Sequence, residues 1–530
     1  MTSKKFGLLI VGILFFYTGF GQVESDALRY SFLTPGGTAR IQAIGGAGVS
    51  LGGDPSFMST NPAGIGFFKT SDFSFTPGVK AVGNTGDYLD QTASENKTNF
   101  YIQQIGLILA SGNRQRKNPD SKWKNVTFGI GYNRLANFNQ NIFYHGNNNA
   151  SSYADNYLIT LDNGNYTNSD ADLDDLSANF PYGMSQAYLT GLLGPYLDDD
   201  GKFQYWQSLP GDILDHNHSI LQSNTVSTKG GTDEFSLSVA GNYDDRLYIG
   251  VGLNVPSISY QRTQHYRETN TEDEGSVLNY FEVTDRVSTD GVGINGKLGI
   301  IYAVQPNIRI GAAFHTPTLY SMHDTYTTTM VTSTTDQGVL SSTTGDITGG
   351  YPGDYDYSLT TPWRAMAGIS YIVGASPEAT HHGFISLDYE YVNYAASRFH
   401  FNSSNSTAED KTYADELNTS IRQLYKGASN VRLGGEIKFN LFAARAGLAY
   451  MGNPYADSEI KGDQMQYSLG LGIRNRGFYA DLTYVYTDKG ERTHQPYLLP
   501  QSNFLNAQSP PPAVISGNIS SILLTIGFKL

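Results

Sequence analysis

Residues 37–64 read GTARIQAIGGAGVSLGGDPSFMSTNPAG. Glycine is frequent in this stretch, and it lets two backbone segments approach where side chains would collide. Asn61 and Pro62 form a turn-favouring pair, and Gly64 gives that turn room. We therefore predict that residues 22–68 form a compact segment that lies inside a structure built by the rest of the chain.

The composition of the 530 residues favours β-structure. Charged residues make up only 16%, whereas aromatic residues reach 13%, with 37 tyrosines. This balance is typical of antiparallel strands whose aromatic side chains lie at membrane interfaces. A large secreted β-sandwich or adhesin is the alternative. The absence of cysteine excludes disulfides and thiolate metal sites, and the net charge of −14 argues against a nucleic-acid partner.

Residues 1–21 predict a signal peptide. Lys4 and Lys5 precede a short apolar core from Phe6 to Tyr17, and small residues follow before the predicted cleavage site. The core is shorter than the roughly 20 residues that a membrane helix needs. An exported chain without such a helix enters a membrane as a closed barrel, because every backbone polar group must be paired there.

Alternation of apolar and polar residues dominates the chain after residue 68. Val126, Phe128 and Ile130 share one face of a strand, for example, while Gly129 and Gly131 share the other. About fourteen runs have the length that a membrane strand needs. The predicted fold class is therefore all-β: a transmembrane β-barrel of antiparallel strands over residues 69–530.

The predicted connections alternate in length. Short turns fall near residues 244, 305, 440 and 476. The long polar connections are residues 146–230, 266–282, 402–427 and 489–517. Short turns at one end and long extracellular loops at the other are typical of an outer-membrane barrel.

Several short motifs resemble those of the FadL/OmpP1/TodX family of outer-membrane transporters for hydrophobic compounds. In the first part of the chain they are Gly37–Arg40, Gly45–Val49 and the hatch motif Asn61, Pro62, Ala63 and Gly64. In the barrel region they are Gly311–Thr318, Thr361–Arg364, Asp388–Tyr391 and Arg445–Gly447. One departure is the C-terminus, which ends on Leu530 instead of an aromatic residue.

The resemblance implies a hatch inside the barrel and passive uptake of hydrophobic small molecules, such as long-chain fatty acids. It places the chain in the outer membrane of a Gram-negative bacterium, in contact with lipid and lipopolysaccharide, and implies a hydrophobic ligand or detergent in the lumen. No cofactor, metal or enzymatic activity is implied. The alternative is an accessory or structural subunit of a larger outer-membrane complex for protein assembly or secretion, bound to other outer-membrane proteins.

Three groups of candidate site residues follow. In the third strand, where the family has a lateral opening, they are Gly129, Gly131, Asn133 and Arg134; an ordinary glycine-rich strand is the alternative. In the long loop they are Phe180, Met184, Tyr188, Leu189, Leu192 and Leu193. These residues form either an outer capture site or a packed lid. Among the inward-facing residues they are Arg309, His315, Arg364, Asp388, Glu390, Arg432, Glu436 and Arg445. These residues form a polar network that holds the hatch, or an arginine among them receives a ligand carboxylate; a solvated interior is the alternative.

Overall fold

The computed structural model describes most of the chain. The described residues are 24–34, 36–111, 121–163, 180, 182–200, 202–215, 218–271, 275–374, 382–401, 407–500 and 508–530. The predicted signal peptide (1–21) lies outside them.

A closed barrel of fourteen antiparallel strands forms the body of the protein, which confirms the predicted fold class. The first strand, β1 (Asp72–Tyr88), pairs with the last, β21 (Ala513–Lys529), and so closes the sheet. The strands between them are β2 Gln91–Ala110, β3 Trp123–Asn137, β4 Gln140–Asn148, β5 Leu193–Leu197, β6 Phe203–Ser208, β7 Ile220–Tyr243, β8 Leu247–Asn270, β9 Leu278–Gln305, β10 Ile308–His315, β11 Leu319–Thr334, β12 Gly338–Thr343, β13 Gly353–Thr360, β14 Arg364–Val373, β15 His382–Asn393, β16 Arg398–His400, β17 Gly427–Phe439, β18 Phe442–Met451, β19 Gln464–Asn475 and β20 Phe478–His494.

Four of the fourteen barrel strands are built from two consecutive segments: β3 with β4, β10 with β11, β13 with β14 and β15 with β16. The other three do not count towards the fourteen: β5 and β6 form a separate two-stranded sheet, and β12 pairs with the end of β11. Pro317 separates β10 from β11, and Pro362 separates β13 from β14. Because proline has no N–H to donate to a ladder, both strands are interrupted at neighbouring places. Thr318 and Thr361 bridge the interruption, since the Thr361 N–H donates to the Thr318 carbonyl at 3.0 Å.

The predicted short turns are present. Asp244 and Asp245 between β7 and β8, Asn440 between β17 and β18, and Arg476 between β19 and β20 all have positive φ. Such left-handed backbone is what two-residue hairpins require, because its twist matches that of the strands.

The outer face of the wall is apolar, and the inner face is polar. Outward positions include Phe128 (51% exposed), Leu298 (53%) and Leu471 (67%). Inward positions include buried threonines, serines and charged groups. Among the described residues, no helix is both long enough and apolar enough to cross a bilayer.

The strands run further than the alternation predicts, so the long connections are shorter than predicted. The predicted loop 146–230 begins inside β4 and ends inside β7, and loop 266–282 shrinks to residues 271–277 between β8 and β9. Loop 489–517 likewise begins inside β20 and ends inside β21. The reason is that beyond the membrane the outer strand face is polar, as at Thr263, His265 and Arg267 of β8, so the outward apolar alternation that marks a membrane strand stops.

Seven α-helices are described, and most lie in the connections. They are α1 Glu24–Ser31, α2 Ala39–Ala43, α3 Asp155–Asn163, α4 Tyr182–Leu189, α5 Leu209–Asp215, α6 Thr344–Thr348 and α7 Ala408–Leu424. The last occupies most of the predicted loop 402–427. Its N-cap is Thr407, whose Oγ1 accepts from the Asp410 N–H at 3.2 Å in a capping box.

Candidate functional site

Residues 24–68, the N-terminal segment, pack against inward-facing side chains of the barrel. Its helix α2 lies against β19 and β20, where the Thr483 hydroxyl donates to the Ala39 carbonyl at 2.6 Å. The Ser468 hydroxyl donates to the Ala43 carbonyl at 3.0 Å. Most of the segment is buried. Barrel side chains thus satisfy backbone groups that the segment cannot pair itself.

The Asn61–Gly64 motif fixes the end of the segment that precedes β1. Asn61 caps the short 3₁₀ helix Pro62–Phe67, and its Oδ1 accepts from the Ala63 N–H at 3.1 Å. Its Nδ2 donates to the Val49 carbonyl at 2.6 Å, which ties two turns of the segment together. The capping role explains why asparagine precedes proline here, since Pro at the first helical position has no N–H to satisfy.

Two barrel glycines allow the N-terminal segment to approach the wall. A Cβ at Gly434 would overlap the Ile44 carbonyl, and a Cβ at Gly447 would overlap the backbone of Ile44 and Gly45. Backbone cannot move aside as a side-chain end does. The close approach of the N-terminal segment to the wall therefore requires glycine at these two positions.

We expect Gly447→Leu to unseat the segment while leaving the barrel closed, because overpacking costs about 1–3 kcal/mol and the segment is easier to move than the wall. Limited proteolysis of purified protein should then cut within residues 24–68. The matched control is Gly296→Leu, where the Cβ would face outward and lie 3.6 Å from its nearest neighbour, Thr316. Equal resistance of both variants to protease would contradict this expectation.

One ion-pair network joins helix α2 to the barrel. Arg40 Nε lies 2.9 Å from Glu436 Oε2, and Arg445 Nε lies 2.6 Å from the same oxygen. Arg445 also pairs with Asp481, at 2.7 Å. All four side chains are nearly inaccessible to solvent. Glu436 thus carries the charge that holds both arginines.

A second network lies under helix α1. Glu390 pairs with Arg364 at 2.8 Å and also with Arg432. The Arg364 guanidinium in turn donates to the Ser31 carbonyl at the end of α1. This network connects β14, β15 and β17 to the N-terminal segment.

The remaining three members of the predicted network also reach the segment. Asp388 Oδ2 accepts from the Val49 N–H at 2.8 Å, and His315 Nε2 lies 2.7 Å from the Thr60 carbonyl oxygen. The Arg309 guanidinium lies 4.8 Å from the ring centroid of Phe67, a cation–π distance. The structure therefore places all eight predicted residues at the N-terminal segment or within two ion pairs of it.

Sequence reasoning missed a third ion pair. Lys297 Nζ lies 2.5 Å from Glu234 Oε1 and donates to the Ser59 carbonyl at 2.9 Å. Ser59 Oγ donates to Glu234 at 2.7 Å. The signal for Lys297 was available, because Leu298 faces outward and its neighbour in a strand must face inward. Glu234 lies in a part of β7 that is rich in polar residues, so the sequence pattern does not show which way its side chain faces.

The candidate lateral-opening residues lie in β3, just before this strand bends. Gly129 and Gly131 face inward and leave room for the Met58 side chain of the N-terminal segment. The Asn133 amide donates to Ser59 Oγ at 2.8 Å, and Arg134 pairs with Asp233 of β7 at 2.5 Å. The bend itself follows these residues, because the β3–β7 register shifts between Arg134 and Ala136.

The backbone ladder between β2 and β3 ends at the pair Gln104–Asn133. Beyond it, β4 pairs with β7 alone among the described strands, and a Cβ at Gly86 of β1 would lie 2.6 Å from the Phe143 carbonyl oxygen of β4. β4 therefore lies against the inner face of β1. Residues 91–103 of β2 keep β1 as their only ladder partner among the described strands.

Side chains bridge the place where the ladder ends. The Gln103 amide donates to the Arg134 carbonyl at 2.9 Å, and Lys97 Nζ donates to the Thr228 carbonyl at 2.9 Å. Side-chain hydrogen bonds of this kind rearrange more readily than a strand ladder, because each depends on one flexible group. We call this part of the wall the β2–β3 break.

Two cavities lie inside the barrel beside the β2–β3 break. The larger has a volume of about 490 Å³ and is lined by helix α1, β1, β4, β8 and β20. The smaller, of about 90 Å³, is lined by Tyr101 and Gln103 of β2. Both are lined by Thr34, Lys80, Ala136, Asn137 and Ile519, so they are neighbours.

The candidate capture-site residues are mostly sealed. Phe180, Met184, Leu192 and Leu193 are buried in a cluster with Trp206 and strand residues. Tyr188 packs against that cluster, and only Leu189 is well exposed, at 55%. This packing favours the lid interpretation over an open capture surface.

The lid is also held by buried polar groups. Glu268 of β8 accepts from the Tyr153 N–H at 2.8 Å and from Gln222 Nε2 at 2.9 Å. Asp155, at the start of α3, accepts from the Ser152 N–H at 2.9 Å, and burial raises the pKa of its carboxyl to about 6. In the part of the chain that the structure covers, no cluster of three or more His, Asp or Glu residues could hold a metal ion.

Comparison with known proteins identifies the fold. A scan against protein-family models gives no match, and a search of curated proteins gives no relative. Among solved structures, a Pseudomonas aeruginosa FadL homologue aligns with a TM-score of 0.55 and 12% identity, over 94% of this chain and 99% of the homologue. The deltaS2 mutant of the TodX monoaromatic hydrocarbon channel aligns with a TM-score of 0.52 and 12% identity, over 94% and 100%. The P. putida toluene transporter TodX gives a TM-score of 0.49 and 11% identity, over 94% and 99%. This chain therefore has the fold of the FadL homologue, which confirms for the fold the resemblance seen in its sequence.

Proposed function

We propose that this protein is an outer-membrane channel for the passive uptake of hydrophobic small molecules. The 490 Å³ cavity beside the β2–β3 break carries this proposal. Its volume falls within the range of about 300–1,000 Å³ that is typical of small-molecule sites. The two aligned structures with a TM-score above 0.5 support it by fold: one is a FadL homologue, and the other is a variant of a monoaromatic hydrocarbon channel.

The N-terminal segment acts as the hatch in this proposal. It blocks a straight path through the lumen. The ion-pair networks of Glu436 and Glu390 hold it against the wall. A hydrophobic molecule therefore leaves sideways, through the β2–β3 break, into the membrane. Phe100 (70% exposed) and Ile102 lie on the outer face at this break and meet the lipid there.

Long-chain fatty acids are the first ligands to test. The protein is expressed in a Gram-negative strain that lacks its own fatty-acid channel, and uptake of radiolabelled oleate is measured over time. We expect uptake several-fold above that of cells with an empty vector. Uptake equal to the empty vector, with folded protein present in the outer membrane, would overturn the proposal.

A separate purification tests the alternative function, an accessory subunit of an assembly or secretion complex. Gentle purification from native membranes would then yield other outer-membrane proteins in fixed proportion. If the protein is a channel that acts alone, no other outer-membrane protein co-purifies with it in fixed proportion.

A further inference from the structure

The 490 Å³ cavity has an unusual charge balance. Four strand side chains that line it are basic: Lys80 of β1, Arg262 of β8, and Lys489 and Arg492 of β20. None of its described lining residues is an aspartate or a glutamate. Helix α1 adds Arg29, which is paired with Asp26 of the same helix and lies 4.4 Å from the ring centroid of Tyr260.

The two lysines of the wall donate only to neutral oxygens. Lys80 Nζ donates to the Asn137 carbonyl at 3.0 Å. Lys489 Nζ donates to the side-chain oxygens of Asn84 at 3.1 Å and Gln140 at 3.0 Å. The Nε of Arg262 is buried without a hydrogen-bond partner. Among the described residues, none of these groups or Arg492 forms an ion pair.

Five buried bases at the N-terminal segment do have a carboxylate partner. Arg40 and Arg445 share Glu436, Arg364 and Arg432 share Glu390, and Lys297 pairs with Glu234. These five interior cations therefore have a carboxylate partner, whereas Arg309, beside Phe67, forms no ion pair with a described residue. The four wall bases of the cavity likewise form no ion pair with a described residue. An unpaired cation in a confined site is costly, so it favours an anion that enters.

The rest of the lining suits an apolar body. Phe32, Phe138, Ile142, Val226 and Ile519 all contribute to the cavity wall. On the basis of the function proposed above, we propose that the cavity takes an amphiphile whose head group carries two negative charges, such as a phosphate monoester. One carboxylate would leave most of these cations without a partner, whereas a phosphate offers several acceptor oxygens to Lys489, Arg492 and their neighbours.

A matched set of ligands tests the charge of the head group. The full chain is placed in nanodiscs of zwitterionic lipid, and equilibrium dialysis at pH 7 measures binding of dodecanol, dodecanoate and dodecyl phosphate, with empty nanodiscs subtracted. We expect affinity to rise in that order, by about tenfold for each added charge, and to fall with salt. Inorganic phosphate alone should bind at least about a hundredfold more weakly than dodecyl phosphate, because it lacks the apolar body.

Two variants tie the preference to the cavity. The double variant Lys489→Gln and Arg492→Gln should lose at least about tenfold in dodecyl phosphate affinity and leave dodecanol affinity within about twofold. Arg422→Gln is the matched control, because Arg422 is exposed on α7. Without ligand, the double variant should be at least as stable to heat as the parent, since it removes unpaired cations.

The outcomes separate this inference from the proposed function. Equal affinity for all three amphiphiles, or no effect of the double variant, overturns the dianion preference and leaves an apolar channel standing. If inorganic phosphate binds as tightly as dodecyl phosphate, the proposal of an amphiphilic ligand is overturned. Failure of every amphiphile to bind overturns both proposals.

Discussion

Replacing Glu436 by glutamine should lower the free energy of unfolding by about 3–5 kcal/mol, the cost of breaking a buried ion pair. Arg40 and Arg445 both contact this carboxylate, and Lys438 Nζ lies 3.3 Å from its other oxygen. Glutamine keeps the shape of the side chain but leaves these bases without their common anion. Because Arg40 belongs to helix α2, the loss should appear first as release of the N-terminal segment.

Unfolding in urea after reconstitution into lipid measures this effect. Glu459→Gln is the matched control, because Glu459 is exposed between β18 and β19 and makes no ion pair with a described residue. We expect that control to stay within about 0.5 kcal/mol of the parent. A Glu436→Gln variant as stable as the Glu459→Gln control would show that the network does not hold the segment.

Replacing Ala136 by tryptophan should reduce uptake at least about tenfold, because a bulky side chain would then occupy a confined path. Ala136 lines both the large cavity and its smaller neighbour at the β2–β3 break. The substitution fills this junction and leaves the ion-pair networks of the N-terminal segment untouched. The measurement is the initial rate of oleate uptake by cells with equal amounts of folded protein.

Ala367→Trp is the control for added bulk. Ala367 lies on the outward face of β14, where lipid accommodates an indole ring. Its uptake rate should match that of the parent. Equal rates for both tryptophan variants would show that molecules do not pass the junction at Ala136.

The barrel was predictable from sequence because its cause is local. In a strand, neighbouring side chains point to opposite faces. The alternation of Leu247, Ile249 and Val251 therefore identifies a membrane strand without knowledge of the strands that it pairs with. The tight turns were equally visible, since Asp244, Asp245 and Asn440 are residues that adopt positive φ readily.

The inward direction of the charged residues was predictable for the same reason, but their partners were not. Arg40 and Glu436 lie 396 positions apart, and nothing in either neighbourhood specifies the pair. The β2–β3 break is also non-local, because it depends on β4 turning against the inner face of β1. Gly129 and Gly131 drew attention to the correct strand, although they accommodate Met58 and the bend comes later.

Membrane-external strands were hidden for a different reason. In the first part of β7, from Ile220, and in most of β11, from Leu319, the outer face is polar, whereas inner residues such as Ile220 and Met330 join an apolar cluster. Their threonines, serines and asparagines are equally typical of loops. Their pairing partners make them strands, and a single sequence does not contain that information.

Site-specific photo-crosslinking tests lateral release most directly. A photoreactive residue replaces Phe100, on the outer face at the β2–β3 break, or Leu469, on the outer face of β19, and labelled oleate is supplied from outside the cell. We predict stronger labelling at residue 100 than at residue 469, and loss of that excess when Ala136 is replaced by tryptophan. Equal labelling at both positions, or an excess at residue 100 that survives Ala136→Trp, would contradict passage through the wall at this break.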